Sequence, residues 1–195
     1  MPASLRLMNP ESSSGWSEAD IKNLAATNAR SAMEMVIQKF REPLYFHARY
    51  IVKDHQEAYD LVQEVFIKAM REDRLFDEDF KMKAWLYRVT SNLCFNHVRN
   101  RKRRGAILDT MIKPEAFSAD QVEAIFATEQ RGEVMAALEQ VSEDHKQILL
   151  LRYYDDLSYA EIADVLQVKL GTVMSRLSRA RMRLMEVMQT SELVN

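Results

Sequence analysis

Residues 157–188, LSYAEIADVLQVKLGTVMSRLSRARMRLMEVM, predict two helices joined by a tight turn. The first helix, 159–166, carries its apolar residues at helical spacing. The second begins near Gly171 and separates apolar from cationic residues onto opposite sides. No acidic residue occurs between Val165 and Met185. This pattern is typical of a helix-turn-helix whose second helix lies in the major groove of DNA.

The polar side of the second helix supplies candidate DNA contacts. Thr172 and the free amides at the helix start suit a phosphate, whereas Arg176 and Arg179 suit base edges, since Arg pairs well with guanine. A basic amphipathic helix without a DNA role is the alternative. The residues gathered on this side are Thr172, Ser175, Arg176, Arg179 and Arg183.

A second candidate surface lies on residues 85–104, WLYRVTSNLCFNHVRNRKRR. On a helix this stretch is apolar nearly all round, apart from one polar stripe. Asn is a poor residue inside a helix, but amides read base edges, Trp stacks on unpaired bases and cations hold phosphates. No acid occurs from 84 to 108, which disfavours an ordinary solvated face. The stripe consists of Trp85, Arg88, Asn92, Asn96, Arg99 and Arg103, and the cation cluster of Arg99, Arg101, Lys102, Arg103 and Arg104.

An acidic face is predicted on a preceding helix, where Glu57, Asp60 and Glu64 share one side and Gln63 sits beside them. It is either solvated, a docking surface for a basic partner, or a carboxylate site such as that of a metal-dependent nuclease. The four histidines lack the spacing of metal ligands. We therefore expect no catalytic residue, no metal site and no cofactor.

Composition favours an all-α protein, and the length allows one domain or two small ones. The chain has 195 residues, 47% of them hydrophobic, with only four Gly, four Pro and a net charge of −2. A nucleic-acid role must therefore come from local clusters. No stretch is long and apolar enough to span a membrane, and the first residues lack the apolar core of a secretion signal, which indicates a cytoplasmic protein. The predicted parts are 1–16, a disordered extension; 17–104, the first domain; 105–128, a flexible linker; and 129–190, the second domain.

Capping residues and breakers predict the helices of the first domain. Ser17 caps the first, the second follows Ser31, and Asp54 caps the third. Pro43 should kink or interrupt the second helix, and Gly105 should end the fourth. The predicted buried stripe of the third helix is Leu61, Val62, Val65, Phe66, Ala69 and Met70.

Four motifs together resemble the extracytoplasmic-function sigma factors of bacterial RNA polymerase. Residues 60–66, DLVQEVF, and 84–93, AWLYRVTSNL, resemble motifs of the family's region 2. Residues 151–166, LRYYDDLSYAEIADVL, and 171–181, GTVMSRLSRAR, resemble region 4. The order and separation of both halves make the resemblance specific.

The resemblance implies roles for each surface. The acidic helix would dock on the clamp helices of the largest polymerase subunit, the stripe would capture unpaired bases of the −10 element, and the helix-turn-helix would read the −35 element. The implied core-polymerase contacts are Asp60, Leu61, Gln63, Glu64 and Phe66. The implied −10 contacts are Trp85, Arg88, Asn92, Asn96, Arg99, Arg101, Lys102 and Arg103. The implied −35 contacts are Lys169, Thr172, Met174, Ser175, Arg176, Ser178, Arg179 and Arg183.

The same resemblance implies a non-enzymatic subunit with several partners. These are core RNA polymerase through its two largest subunits, promoter DNA in double- and single-stranded form, and an anti-sigma factor, with no membrane insertion. Met174 departs from the family, which often has Lys or Arg there. A stand-alone helix-turn-helix regulator remains the alternative function, and it would bind a specific duplex without polymerase.

Overall fold

The computed structural model describes residues 16–108 and 136–192, and the regular elements in these ranges are all helical, which confirms the all-α prediction. The predicted extension before Trp16 and most of the predicted linker lie outside the described residues. Within the described ranges, no helix combines the length and apolar character needed to cross a membrane. The helices are α1 (Glu18–Ala25), α2 (Ala29–Val52), α3 (His55–Ala69), α4 (Met82–Leu108), α5 (136–140), α6 (Glu143–Leu149) with a π-helical turn (Leu150–Tyr154), α7 (Tyr159–Leu166) and α8 (Leu170–Glu192).

Helix α2 is the centre of the N-terminal helices and packs against α1, α3 and α4. Its apolar residues recur at helical spacing and face the core, where Val36 and Leu44 are fully buried. Val65 of α3 and Leu86 of α4 are fully buried against them. Each such side chain contributes roughly 1.5–3 kcal/mol by leaving water, so this core fixes the relative positions of α3 and α4.

Side-chain caps begin these helices largely as predicted. Ser17 caps α1 in a complete capping box with Asp20, and Asp54 caps α3 by accepting a hydrogen bond from the amide of Glu57 at 2.8 Å. The predicted start of the second helix after Ser31 is wrong. Asn28 caps α2 instead, and its side-chain oxygen accepts from the Ser31 amide at 3.0 Å.

The structure bears on three further predictions about helix ends and breaks. Pro43, predicted to kink or interrupt the second helix, does not interrupt α2, because buried residues in the turns on both sides hold the helix together despite the missing donor. Met70 is not in the buried stripe but 61% exposed, because α3 ends at Ala69. Gly105 does not end α4, whose backbone remains helical to Leu108, so the first residues of the predicted linker extend the helix.

The C-terminal helices form a second packed group. Helix α6 begins after its cap Ser142 and continues into the π-helical turn, and both α6 and α7 pack on α8. Leu151, Ile162 and Leu177 are fully buried in this group. Helix α7 also contacts α4, so the two groups of helices touch directly.

The N-terminus of α7 carries a complete capping box. The hydroxyl of Ser158 accepts from the Glu161 amide at 3.2 Å, and the Glu161 carboxylate accepts from the Ser158 amide at 2.8 Å. We expect Ser158→Ala to lower the free energy of unfolding by about 1 kcal/mol, because the cap is lost. Urea denaturation measures this change. Ser158→Asp retains a capping oxygen and should stay within a few tenths of a kcal/mol of the native protein; an equal loss in both variants would contradict the role of the cap.

Candidate nucleic-acid interface

The polar stripe predicted on 85–104 is an exposed edge of α4 over most of its length. Asn92 is exposed, and its side chain makes no hydrogen bond or ion pair within the described part of the chain. Asn96 and Arg99 are exposed one turn further on, and Arg99 donates to the side-chain oxygen of Asn96 at 2.6 Å. The amide group of Asn96 is thereby oriented, whereas that of Asn92 is available to a ligand. Arg103 continues the exposed edge.

The beginning of the stripe is partly covered. Trp85 is half-buried, and its ring lies 6.2 Å from that of Phe80. Trp85 and Arg88 line a cavity of about 330 Å³ together with Asp164 of α7 and Gln167 of the following turn. The C-terminal helices thus lie close to the partly exposed ring of Trp85.

Arg101 does not belong to the stripe. It lies about 180° around α4 from Asn92, and its guanidinium donates to the carboxylate of Glu57 at 2.8 Å and to the carbonyl oxygen of Val52 at 3.1 Å. Those contacts join α4 to the end of α2 and the start of α3. Lys102 lies 3.7 Å from Glu143, near the C-terminal helices. The structure therefore gives Arg101 a bracing position rather than the predicted place beside the −10 contacts.

The acidic face of α3 divides into two parts. The Glu57 carboxylate accepts from Arg101 at 2.8 Å and also lies 3.1 Å from Nε2 of His97. Asp60 and Glu64 are exposed, and in the part of the chain that the structure describes their side chains make polar contacts with neighbours on their own helix, Gln56 at 3.2 Å and Lys68 at 3.3 Å. Among the described residues, no group of three or more His, Cys, Asp or Glu is placed to hold a metal ion.

A groove of about 840 Å³ runs between α2 and α3 beside these acids. Gln63 is exposed at its rim and Phe66 lines it, whereas Leu61 is only 9% exposed and belongs to the core. Sequence reasoning missed the apolar part of this surface. The signal available in the sequence was the helical spacing of apolar residues on a side of α3 other than its buried stripe. The exposed apolar side chains that line it are Tyr59, Ile67 and Met70.

The helix-turn-helix has the predicted bounds for α7, and α8 begins one residue before Gly171. Gln167 ends α7 in the left-handed conformation with φ 53°, which turns the chain into α8. The Thr172 amide donates to the Lys169 carbonyl at 2.9 Å, so it is not free for a phosphate as predicted. Thr172 itself is half-buried.

The outer face of α8 presents the other predicted −35 contacts to solvent. Arg179 is held along the helix, because its Nε donates to the Ser175 carbonyl at 3.3 Å. Arg183 pairs with Glu186 at 2.9 Å. Met174, 55% exposed, is an apolar member of this face. The exposed side chains are Lys169, Met174, Ser175, Arg176, Ser178, Arg179 and Arg183.

Two family profiles match these two groups of helices. The profile described as Sigma-70 region 2 matches residues 36–104, and that described as Sigma-70, region 4 matches residues 131–184. The first match contains the stripe and the groove, and the second contains the helix-turn-helix.

Individual sigma factors are similar to this chain over most of its length. The RNA polymerase sigma-H factor of Pseudomonas aeruginosa is 35% identical over 161 residues, which are 78% of this chain and 83% of that protein. The ECF RNA polymerase sigma-E factor of Escherichia coli is 35% identical over 131 residues, 63% of this chain and 69% of that one. The sigma factor RpoE of Bartonella quintana, solved in complex with the anti-sigma factor NepR, aligns with a TM-score of 0.61 at 27% identity, covering 80% of this chain and 96% of that one.

Proposed function

The chain belongs to the extracytoplasmic-function sigma factors, and from that membership we propose that it is a dissociable specificity subunit of bacterial RNA polymerase which recognises −10 and −35 promoter elements. The observation that carries this proposal is the presence of two separate polar faces on one chain, the stripe of α4 and the outer face of α8, beside an exposed docking groove. Such a subunit supplies recognition and no chemistry of its own. It acts in the cytoplasm, where polymerase and promoters meet.

The stripe of α4 is suited to DNA whose bases have left the duplex. Holding a base out of the stack costs a few kcal/mol, and stacking on an aromatic ring returns about 1–3 kcal/mol. Trp85 offers the ring, Asn92 an unoccupied amide, and Arg99 and Arg103 offer charges for the strand that follows. Base capture and backbone binding therefore follow one another along a single helix edge.

The outer face of α8 is suited to duplex DNA. An α-helix fits the major groove, where an Arg side chain can pair with guanine in bidentate fashion. Arg176 and Arg179 project from the first turns of α8, close to the end that enters the groove in helix-turn-helix proteins. Recognition of the duplex and of the separated strand thus falls to different helices.

Core polymerase is assigned to the groove between α2 and α3. Exposed apolar side chains next to exposed acids match the usual anatomy of a protein interface, an apolar centre with a polar rim. Tyr59, Ile67 and Met70 would provide the centre, and Asp60 and Glu64 the charged rim. The clamp helices of the largest subunit are the proposed occupant. The segment 149–159 is assigned to the second-largest subunit.

An anti-sigma factor is the proposed regulator. The Bartonella quintana relative was solved with one bound, and the surfaces used for promoter and polymerase are exposed enough to be covered by a protein. Run-off transcription with purified core polymerase on a genomic library tests the function. Start sites that depend on this chain are expected, whereas a specific duplex bound equally well without polymerase would instead indicate a stand-alone regulator.

Glu64→Lys is expected to weaken association with core polymerase about 10-fold, which corresponds to about 1.4 kcal/mol. The reason is that it replaces an attractive rim charge with a repulsive one opposite a basic partner. Titration of labelled protein with core polymerase measures the affinity. Glu78→Lys makes the same charge change in the loop after α3 and should leave the affinity unchanged. Equal effects of both variants would mean that net charge, rather than the docking face, controls binding.

A further inference from the structure

A buried polar contact joins the N-terminal helices to the C-terminal ones. His47 of α2 is fully buried, and its Nδ1 donates to a carboxylate oxygen of Asp155 at 2.6 Å, across 108 positions of sequence. Its Nε2 lies 2.9 Å from the hydroxyl oxygen of Ser91 on α4. The Asp155 side chain is only 3% exposed. A carboxylate is thus withdrawn from water by residues of the other group of helices.

Ion pairs also join the two groups of helices, and within residues 16–108 and 136–192 each of these pairs has the same polarity. The N-terminal helices and the loop before α4 supply the cation each time, and the C-terminal helices supply the carboxylate. The pairs join Lys53 to Glu139 at 2.8 Å, Lys81 to Asp164 at 2.7 Å, Lys83 to Glu161 at 2.6 Å and Lys102 to Glu143 at 3.7 Å. Such one-sided complementarity favours one specific docking of the two surfaces.

The contact hides part of the surface assigned to the −10 element. Asp164 and Gln167 line the same cavity as Trp85 and Arg88, so α7 and the turn after it narrow the approach of a DNA strand to the half-buried Trp85 ring. Lys81 and Lys83, at the start of α4, are meanwhile paired with carboxylates instead of phosphates.

The contact also keeps the two DNA-facing helices too close for a promoter. Gln167, beside Trp85 in this cavity, lies three positions before the start of α8. The −10 and −35 elements, by their names, are about 25 base pairs apart, roughly 85 Å of duplex at 3.4 Å per base pair. One chain can engage both elements only after the C-terminal helices have moved away from the N-terminal ones.

We propose that the free protein is self-locked: the His47–Asp155 contact and its surrounding ion pairs hold α7 over the start of the base-reading stripe, and binding to core polymerase requires this lock to open. The contact includes four ion pairs whose groups water solvates after separation, beside an aromatic contact between Tyr50 and Tyr154 with ring centroids 5.4 Å apart. Only molecules with an open lock can bind core polymerase, so the apparent affinity for core polymerase is lowered in proportion to the open fraction. This last consequence rests on the function proposed above; the lock itself does not.

His47→Leu is the decisive variant. Leucine places an apolar side chain between α2 and α4. In the closed form it leaves the Asp155 carboxylate buried without its partner, whereas in the open form that carboxylate is solvated. Pairs of spin labels on cysteines replacing Gln38 of α2 and Gln189 of α8, both exposed, report the separation by pulsed dipolar spectroscopy. The native Cys94 should remain unlabelled, because burial raises the pKa of its thiol to about 12.

The native protein is expected to show one dominant short distance, and His47→Leu to increase the long-distance population at least fivefold. Identical distance distributions in the two proteins, or a native protein that is already mostly open, would overturn the proposal. A charge exchange provides a second variant if His47→Leu does not fold. Lys81→Glu should also populate the long distance, and adding Asp164→Lys should restore the short one. A failure of the second change to restore the short distance would likewise contradict the lock.

Binding to core polymerase supplies an independent measurement. His47→Leu lies outside the docking groove and is expected to bind core polymerase about 3- to 10-fold more tightly, because a larger fraction of the protein is competent. Unchanged or weaker binding, with altered distances, would show that the contact does not limit loading. If native protein does not bind core polymerase at all, the proposed function fails, and the distance measurements alone decide on the lock.

Discussion

Asn92→Ala is expected to lower open-complex formation by about 10- to 100-fold while leaving affinity for core polymerase unchanged. An amide that pairs with a base contributes about 1–3 kcal/mol, and each 1.4 kcal/mol is a factor of ten. Asn92 is the amide of the stripe that makes no side-chain contact within the described ranges, so its loss leaves the protein's own contacts intact. Permanganate reactivity of unpaired thymines in the reconstituted initiation complex measures the opening.

Asn100→Ala is the matched control for this prediction. Asn100 is an exposed asparagine on the same helix, about 80° around α4 from Asn92 at ~100° per residue, and therefore outside the stripe. It should leave both opening and core affinity unchanged. A parallel loss of core affinity in Asn92→Ala would contradict the base-reading role, because the stripe and the docking groove would then not be separate surfaces.

Arg179→Ala is expected to reduce transcription about 10- to 100-fold from promoters that depend on a −35 element. Loss of a bidentate contact between Arg and guanine accounts for about 1–3 kcal/mol. Arg183, already paired with Glu186, should have a smaller effect when replaced by alanine. Run-off transcription on matched templates, with and without the −35 element, measures the difference between the two promoter classes.

Arg181→Ala controls for the loss of a positive charge from the same helix. Arg181 lies about 160° around α8 from Arg179 and is partly buried, away from the DNA-facing side. It should affect both promoter classes equally and only slightly. If Arg179→Ala also lowers transcription equally from templates without a −35 element, its assignment to base reading is wrong.

Local sequence patterns predicted the helix-turn-helix well. The bounds of α7 were predicted from the helical spacing of its apolar residues, among them the fully buried Ile162, and this spacing depends on residues a few positions apart. The same holds for the predicted caps Ser17 and Asp54. Helix ends without side-chain caps were less predictable, as α4 shows by continuing past Gly105.

Contacts between distant parts of the chain could not be read from spacing. Nothing local to His47 indicates that Asp155 is its partner, and a histidine in an apolar stretch is equally compatible with an ordinary core position. Arg101 looks like the other cations of its cluster, yet its position on α4 directs it toward Glu57 instead of the stripe. The apolar groove was missed because exposure depends on which faces of α2 and α3 remain uncovered after packing.

The ion pair between Glu57 and Arg101 ties α3, the proposed docking helix, to α4, the proposed base-reading helix. About 14 Å of α4 separates Arg101 from Asn92, at 1.5 Å per residue, so a small tilt of α3 is transmitted along a stiff rod to the base-capturing amide. Docking of α3 on polymerase would therefore set the orientation of Asn92 before DNA binds. A docked α3 that is tilted by about 10° would displace that amide by roughly 2 Å, which is more than the geometry of a hydrogen bond tolerates.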